Sequence, residues 1–165
     1  MTFEADRLAT VLPGTWHVLA TTFPMWLSGR RLDPTFTYSR LGKNPLVLRD
    51  EVRYRTRTGA HRGIHGTDTF DPHAGRFTWR GRLLLSMITS RWRVVWISAD
   101  QNTVVLTFDR SLVTPAGMDV IGRDAEAPAS VRERMAQQLA EPDRPAFRQL
   151  RWLTATTTPG RTDDC

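Results

Sequence analysis

The segment LRDEVRYR, residues 48–55, decides the class of fold. Charged side chains occupy every second position from Arg49 to Arg55, and the residues between them include Val52 and Tyr54. Because successive side chains of a β-strand point to opposite faces, a strand here turns its arginines to water and buries the other row. The segment therefore predicts a half-buried β-strand with Val52 and Tyr54 facing inward.

The same alternation recurs on both sides of this segment, at residues 16–22, 35–40, 64–70, 76–80, 92–96, 104–108 and 117–123. Turn-forming residues, such as those at 71–75 and 100–102, separate consecutive segments. About eight short strands joined by polar turns are typical of an up-and-down barrel. The predicted fold class is therefore all-β, an eight-stranded antiparallel barrel.

One amphipathic helix is predicted over about residues 128–140, bounded by Pro128 and Pro142. Its apolar residues recur every four positions, at Val131, Met135 and Leu139. A single apolar stripe predicts that the helix lies against the outside of the barrel. The apolar segment 147–153 follows, and we expect it to return to the sheet as a short final strand.

The composition predicts one domain over residues 1–153. The chain has 165 residues, of which 40% are hydrophobic, and these values are ordinary for a globular domain. No run of about 18 apolar residues occurs, so no membrane-spanning helix is predicted. Residues 154–165 have too few apolar side chains to form a core, and we expect a disordered tail there.

The formal net charge of +6 raises the question of a nucleic-acid partner. Lys43 is the only lysine, and the arginines are spread along the chain, so a solvated basic surface is the favoured interpretation and nucleic-acid binding is disfavoured. The only cysteine is Cys165, and the N-terminal residues carry no secretion signal. These features predict a cytoplasmic protein.

Three short motifs occur in an order that resembles the lipocalin (calycin) family. Gly14-Thr15-Trp16 resembles the G-x-W motif that opens the first lipocalin strand. Residues 94–105 resemble the second motif, with Asp100 in the turn between the sixth and seventh strands. Ile121-Gly122-Arg123 resembles the third motif, in which an arginine ends the eighth strand.

The resemblance spans about residues 10–153, and residues 118–152 are most similar to bacterial lipocalins. It implies a barrel that encloses a cavity for one small ligand. Residues 99–101 read Ala-Asp-Gln, so the aromatic residue of the usual second motif is missing. The chain also lacks the export signal and lipidation cysteine of exported bacterial lipocalins. We therefore do not expect this chain to share the periplasmic carrier role of exported bacterial lipocalins.

Trp16 and Arg123 are expected to close one end of the barrel. An indole is large and apolar enough to fill that end, and its N–H needs one hydrogen-bond acceptor. A guanidinium across the indole face adds a cation–π contact of about 0.5–2 kcal/mol. Both residues are therefore predicted to be structural, which agrees with the resemblance.

The inward rows predict an aromatic cavity wall. Its candidate ligand-binding residues are Phe36, Tyr38, Val52, Tyr54, Asp68, Phe77, Trp79, Val94, Trp96, Leu106 and Phe108. An apolar wall with a few polar groups is typical of a ligand pocket. The alternative is that these large side chains simply fill the interior. Trp92 is expected nearer the rim than the lumen.

Three aspartates lie on the strands of this wall. A carboxylate in an apolar cavity is costly unless it is paired, and burial raises its pKa. Such a group could bind a cationic ligand or act as a general base, and for Asp68 both this interpretation and a structural one remain open. Asp50 is expected at a strand end, paired with an arginine, and the alternation does not orient Asp119.

Residues 24–29 are predicted to lie between the first two strands, where the loop of lipocalins covers the open mouth. Met25, Trp26 and Leu27 would then form an apolar lid with Gly29 as its hinge, or else the loop folds over the outer sheet. The apolar segment 81–88 is another candidate rim. It permits contact with the ligand, with the lid or with a second copy of the chain in a homodimer.

We expect the chain to bind a hydrophobic or aromatic small molecule in the barrel lumen. The alternative is a cofactor-free cyclase or isomerase of specialised metabolism, with Tyr38, Tyr54 and Asp68 as its catalytic groups. A protein-interaction role is a third, weaker interpretation. No metal site or cofactor is predicted, because His61 and His65 have no further ligand at suitable spacing.

Overall fold

Antiparallel strands form a closed barrel in the computed structural model, which describes residues 3–82, 85, 87–111 and 115–154. Each of the eight barrel strands pairs with the next along the chain, and β1 pairs with both β2 and β8, which closes the cylinder. The predicted eight-stranded barrel is therefore confirmed. The strands are β1 (Gly14–Thr21), β2 (Arg31–Lys43), β3 (Leu46–Thr56), β4 (His61–Asp71), β5 (Arg76–Gly81), β6 (Thr89–Ile97), β7 (Thr103–Phe108) and β8 (Gly117–Gly122).

Short helices lie at both ends of the barrel and on its outer face. They are α1 (Ala5–Val11), α2 (Pro24–Leu27), α3 (Ala129–Gln138), a 3₁₀ turn (Glu141–Asp143) and α4 (Arg144–Arg148). The external helix is confirmed as α3, while the alternation of the sequence did not predict α1. Among the described residues, no helix has the length and hydrophobicity needed to cross a bilayer.

The predicted final strand is β9 (Arg151–Trp152), which pairs with β1 at Ala20 and Thr21. It is shorter than the predicted apolar segment 147–153, because α4 takes up the start of that segment. Apart from Thr154, the tail predicted at residues 154–165 lies outside the described residues.

Two separate apolar clusters stabilise the fold, one inside the barrel and one outside it. The inner cluster contains Trp16 together with residues of α1 and the inward rows of the strands. The outer cluster is the surface between the barrel and α3, where Val131 and Met135 are buried. The apolar stripe of α3 therefore packs as its four-residue spacing predicts.

A bulge in β6 reverses the orientation of one predicted cavity residue. Val94 pairs with Leu106, but Trp96 pairs with Val105, so the register shifts by one residue between them. One extra residue in a strand turns every later side chain to the opposite face. Trp96 therefore lies in the outer cluster, where its Nε1 donates to Oε1 of Gln138 at 2.9 Å. The prediction that Trp96 lines the lumen is wrong.

A second bulge lies in β1, between Val18 and Ala20. Val18 belongs to the inner cluster, whereas Leu19 and Ala20 both belong to the outer one. After this shift Thr21 is buried, and it hydrogen-bonds Asp119 on the neighbouring strand β8.

The end of the barrel at the start of β1 is filled by Trp16 beneath Arg123. Trp16 is fully buried, and its Nε1 donates to the carbonyl of Leu12 at 2.8 Å. The Arg123 guanidinium carbon lies 3.7 Å from the centroid of the Trp16 ring. Its nitrogens also donate to the carbonyls of Val11 at 2.8 Å, Pro13 at 2.7 Å and Thr15 at 3.1 Å.

Gly14 is part of the same arrangement. Its φ of +108° lies in a region that side chains rarely adopt, and a Cβ there would lie 2.6 Å from Nη1 of Arg123. The Gly-Thr-Trp motif thus has a local cause: the glycine leaves room for the guanidinium that covers the indole two residues later.

We predict that Arg123→Ala lowers the free energy of unfolding by about 2–4 kcal/mol, because it removes the cation–π contact and the bonds to three carbonyls. Urea unfolding followed by circular dichroism measures the change. Arg57→Ala, at an exposed arginine in the turn after β3, is the control and should change the value by less than about 0.5 kcal/mol. Equal effects of the two substitutions would contradict this account of the barrel end.

Candidate functional site

A cavity of about 140 Å³ lies in the half of the barrel that faces α2. Every strand from β2 to β8 contributes at least one side chain to its wall. An engineered apolar cavity of about 150 Å³ holds one benzene molecule, so this cavity suits a ligand with one ring. It is lined by Phe23, Met25, Trp26, Phe36, Tyr38, Asp50, Val52, Ile64, Trp79, Ile88, Ser90, Trp92, Phe108 and Asp119.

Five of the predicted wall residues line this cavity: Phe36, Tyr38, Val52, Trp79 and Phe108. Each is an inward residue, and Val52, Trp79 and Phe108 lie in the half of their strands nearer the mouth. Phe23, Ile64 and Ser90 also line the cavity but were not among the predicted wall residues, whereas Ile88 belongs to the candidate rim 81–88. Ser90 shares an inward row with Trp92 and Val94, and extending that row by two residues would have found it.

Three predicted wall residues face inward but do not line the cavity: Phe77, Val94 and Leu106. Each lies two residues farther from the mouth than the nearest cavity residue of the same strand. They belong to a packed base. There Phe77 stacks on Trp92 with 4.3 Å between ring centroids and lies 4.9 Å from Phe70. In this lower half of the barrel, large side chains fill the interior, as the alternative interpretation of the inward rows expects.

Trp92 was expected near the rim, and this prediction is wrong. It is buried in the middle of the barrel, with its ring stacked between Phe77 and Tyr38, whose centroid is 5.7 Å away. Its Nε1 donates to Oδ1 of Asp68 at 2.7 Å. Trp92 therefore forms the floor of the cavity and links it to the packed base.

Asp68 lies fully buried below that floor and is not part of the cavity wall. Trp92 satisfies one carboxyl oxygen, while Oδ2 has no hydrogen-bond partner among the described residues. Burial raises the pKa of Asp68 well above its usual value, the charge of Asp50 raises it further, and the bond from Trp92 lowers it. Asp68 was predicted to bind the ligand, but its side chain does not line the cavity.

Asp50 lies inside the barrel, and the prediction that it sits at a strand end beside an arginine is wrong. It is 7% exposed, it lines the cavity, and none of the ion pairs between described residues includes it. Oδ1 has no hydrogen-bond partner there. Burial raises the pKa of Asp50 to about 7, although a hydrogen bond from Trp79 lowers it.

Gly66 explains how Trp79 reaches Asp50. Gly66 is the cross-strand partner of Asp50, and a Cβ at this position would lie 2.1 Å from Nε1 of Trp79. The indole therefore lies directly over the glycine backbone. Any larger residue at Gly66 would displace the indole from the carboxyl group.

Asp119 is the inward residue that the alternation did not orient. Its neighbours Met118 and Val120 pack in the outer cluster, so Asp119 faces the cavity from β8. It is 1% exposed, and Oδ1 has no partner in the described part of the chain. Burial raises its pKa to about 7, although a hydrogen bond from Thr21 lowers it.

Tyr38 lies among the three aspartates. Burial raises the pKa of its phenol well above the usual value, and the charges of Asp50, Asp68 and Asp119 raise it further. The phenol therefore stays protonated at physiological pH. None of the residues given above for the cavity wall is an arginine, lysine or histidine, so its polar groups are acidic, phenolic or neutral.

Helix α2 covers the mouth with two of the three predicted lid residues. Met25 and Trp26 line the cavity, and the Trp26 ring lies edge-on to Tyr54 at 5.9 Å. Leu27, in contrast, is 41% exposed and faces away from the cavity. The predicted hinge Gly29 is exposed, with a φ of +66° that suits a glycine.

Tyr54 contacts Trp26 of α2, and Ile88 is the residue of the segment 81–88 that is found in the cavity wall. Tyr54 is absent from the cavity wall and packs against the guanidinium of Arg31, 5.0 Å from its ring centroid. In the segment, Ile88 lines the cavity and Met87 is 91% exposed, while residues 83, 84 and 86 lie outside the described residues. No group of three His, Cys, Asp or Glu residues in the described ranges is placed to hold a metal ion.

The sequence matches no known family model and no curated protein. Solved structures that resemble it include lobster apocrustacyanin A1, with a TM-score of 0.64, 10% identity, and coverage of 92% of this chain and 86% of that one. Apocrustacyanin C1 gives a TM-score of 0.66 at 11% identity, covering 94% and 87%. The siderocalin Ex-FABP gives 0.64 at 13% identity, covering 88% and 95%.

These similarities show that the chain has the lipocalin (calycin) fold, and the resemblance inferred from the sequence motifs is confirmed at that level. Identities of 10–13% are too low to transfer a ligand or an activity. The similarity to bacterial lipocalins in particular stays a prediction.

We predict that the ligand-free protein becomes less stable as the pH rises from about 5 to about 8. Folded Asp50 and Asp119 hold protons up to about pH 7, whereas unfolded aspartates lose them near 3.8, so the folded state binds more protons in this window. Each group contributes a slope of at most about 1.4 kcal/mol per pH unit. Tyr38, Asp68 and Glu51 are the other titratable groups near Asp50.

Urea unfolding at pH 5, 6, 7 and 8 measures this dependence. Asp50→Asn and Asp119→Asn should each flatten the profile, because an amide does not titrate. A stability that stays constant or rises over this range would contradict the burial of unpaired carboxyl groups.

Proposed function

We propose that the chain binds a small hydrophobic or aromatic molecule in the barrel lumen. The observation that carries this proposal is the cavity of about 140 Å³, whose wall is mostly aromatic and aliphatic and is interrupted by a few polar groups. This combination of an apolar wall and few polar groups is typical of small-molecule sites. Among the structural neighbours, the siderocalin Ex-FABP is described as functioning through dual ligand specificities.

The volume limits the ligand. Pockets for drug-sized molecules usually measure about 300–1,000 Å³, so this cavity holds a molecule with about one ring. A larger ligand requires α2 to move, because Met25 and Trp26 cover the mouth. We therefore propose that Met25 and Trp26 act as a lid.

We predict that nitrobenzene, a neutral one-ring quencher, lowers the tryptophan fluorescence in a saturable way, because Trp26, Trp79 and Trp92 line the cavity. Val52→Phe should weaken the apparent affinity at least ten-fold, because the larger side chain occupies the cavity. Val47→Phe adds the same volume at another half-buried valine of β3, which is not in the cavity wall, and should leave binding unchanged.

The absence of saturable quenching in the wild-type protein would overturn the proposal. Equal affinities of wild type and Val52→Phe would also overturn it, since binding would then lie elsewhere.

A cofactor-free isomerase or cyclase is the second candidate. The observation that favours it is the pair of carboxyl groups, Asp50 and Asp119, whose pKa values of about 7 suit proton transfer near neutral pH. Of the catalytic groups predicted from sequence, Tyr38 lines the cavity, whereas Tyr54 and Asp68 do not. The volume favours binding over cyclisation, because an extended substrate does not fit.

A one-ring substrate tests this candidate. Isomerisation of 3-cyclohexenone to 2-cyclohexenone moves one proton from C2 to C4, and an ultraviolet absorbance records the conjugated product. An isomerase should lose this activity in Asp50→Asn or Asp119→Asn, while nitrobenzene still binds. A rate equal to that of buffer would remove proton-transfer isomerisation of one-ring ketones from consideration.

A further inference from the structure

We propose that the ligand of this cavity is a protonated amine with a single aromatic ring, held with its ammonium group between Asp50 and Asp119. This inference rests on the proposed function and specifies its ligand class. It starts from two carboxyl oxygens, Oδ1 of Asp50 and Oδ1 of Asp119, which are buried, belong to residues of the cavity wall and have no partner among the described residues.

Such oxygens need a hydrogen-bond donor that the described wall does not supply. A buried polar atom without a partner costs free energy, and a buried carboxylate without a counter-charge costs more. An ammonium group offers three N–H donors and a compact positive charge, so one such group can serve two carboxylates. A neutral hydroxyl group offers a single donor, so it can satisfy only one of the two oxygens and brings no positive charge.

The two carboxyl groups belong to the wall of one cavity. Asp50 is on β3 and Asp119 is on β8, with only β2 and β1 between these strands around the barrel. Tyr38 lies on β2 as the cross-strand neighbour of Asp50, and it lines the same cavity. The two acidic residues of the wall therefore lie within four adjacent strands.

The aromatic residues complete a site for a cation. The faces and edges of Phe36, Tyr38, Trp79, Trp92 and Phe108 surround the same cavity. Aromatic faces attract ammonium groups, most strongly where water is excluded. With no basic side chain among the residues of the described wall, the site favours a cation and disfavours a carboxylate ligand such as a fatty acid.

Three probes of similar size and different charge test this inference. They are benzylammonium, benzyl alcohol and benzoate, each titrated into the full chain at pH 7 by calorimetry. Benzylammonium should bind at least ten-fold more tightly than benzyl alcohol, and benzoate should not bind measurably. Equal affinities for the amine and the alcohol would overturn the inference and leave the proposed function intact. If none of the three probes binds and nitrobenzene does not bind either, both the inference and the proposed function are overturned.

Matched substitutions locate the ammonium group. Asp50→Asn and Asp119→Asn should each reduce the preference for the amine over the alcohol at least ten-fold. Asp6→Asn makes the same chemical substitution at an exposed side chain of α1, and should leave the preference unchanged. A preference that survives both cavity substitutions would overturn the inference.

Proton release provides a second measurement that needs no variant. Because the buried carboxyl groups hold protons in the empty cavity, an ammonium group that ionises them must release protons to the buffer. The binding enthalpy of benzylammonium should therefore depend on the ionisation enthalpy of the buffer, and that of benzyl alcohol should not. A buffer-independent enthalpy for both probes would contradict contact between the ammonium group and these carboxyl groups.

Discussion

The central constraint in this molecule is the presence of aspartates inside a barrel whose described residues give them no positive partner. Asp50, Asp68 and Asp119 are buried, and each has one carboxyl oxygen without a hydrogen-bond partner in the described structure. Desolvation raises the pKa of each group, because the charged form loses the most when water is removed. The empty barrel therefore favours neutral carboxyl groups, and any ligand that ionises them must bring its own positive charge.

The two halves of the interior have different roles, and the difference follows from packing. At the base, Trp16 lies under the Arg123 guanidinium, and Phe77 stacks on Trp92. Those contacts pack the base, so they contribute stability and specify the closed end. Above Trp92 the side chains leave a volume of about 140 Å³, which is the cavity under α2. The arrangement separates a rigid base from a mouth that a short helix covers.

The fold was predictable from sequence because its signal is local. Residues 48–55 alternate, and the structure has Asp50 on the buried row and Arg49 and Arg53 exposed. The residues of the lumen were harder to predict than the fold. Alternation indicates on which face of a strand a side chain lies, but it indicates neither the position of a bulge nor how deep in the barrel the side chain lies. The bulge before Trp96 turned that residue outward, and Trp92 proved to be the cavity floor. Asp119 has apolar neighbours on both sides, so nothing in its segment indicated that it faces the lumen.

The most direct test of this account is a carboxyl-carbon NMR titration of the ligand-free protein, with resonances assigned through the Asp50→Asn and Asp119→Asn variants. The account predicts that both groups titrate near pH 7. Midpoints near 3.8 for Asp50 and Asp119 would mean that water or a cation already reaches them, and would contradict an acidic, desolvated lumen.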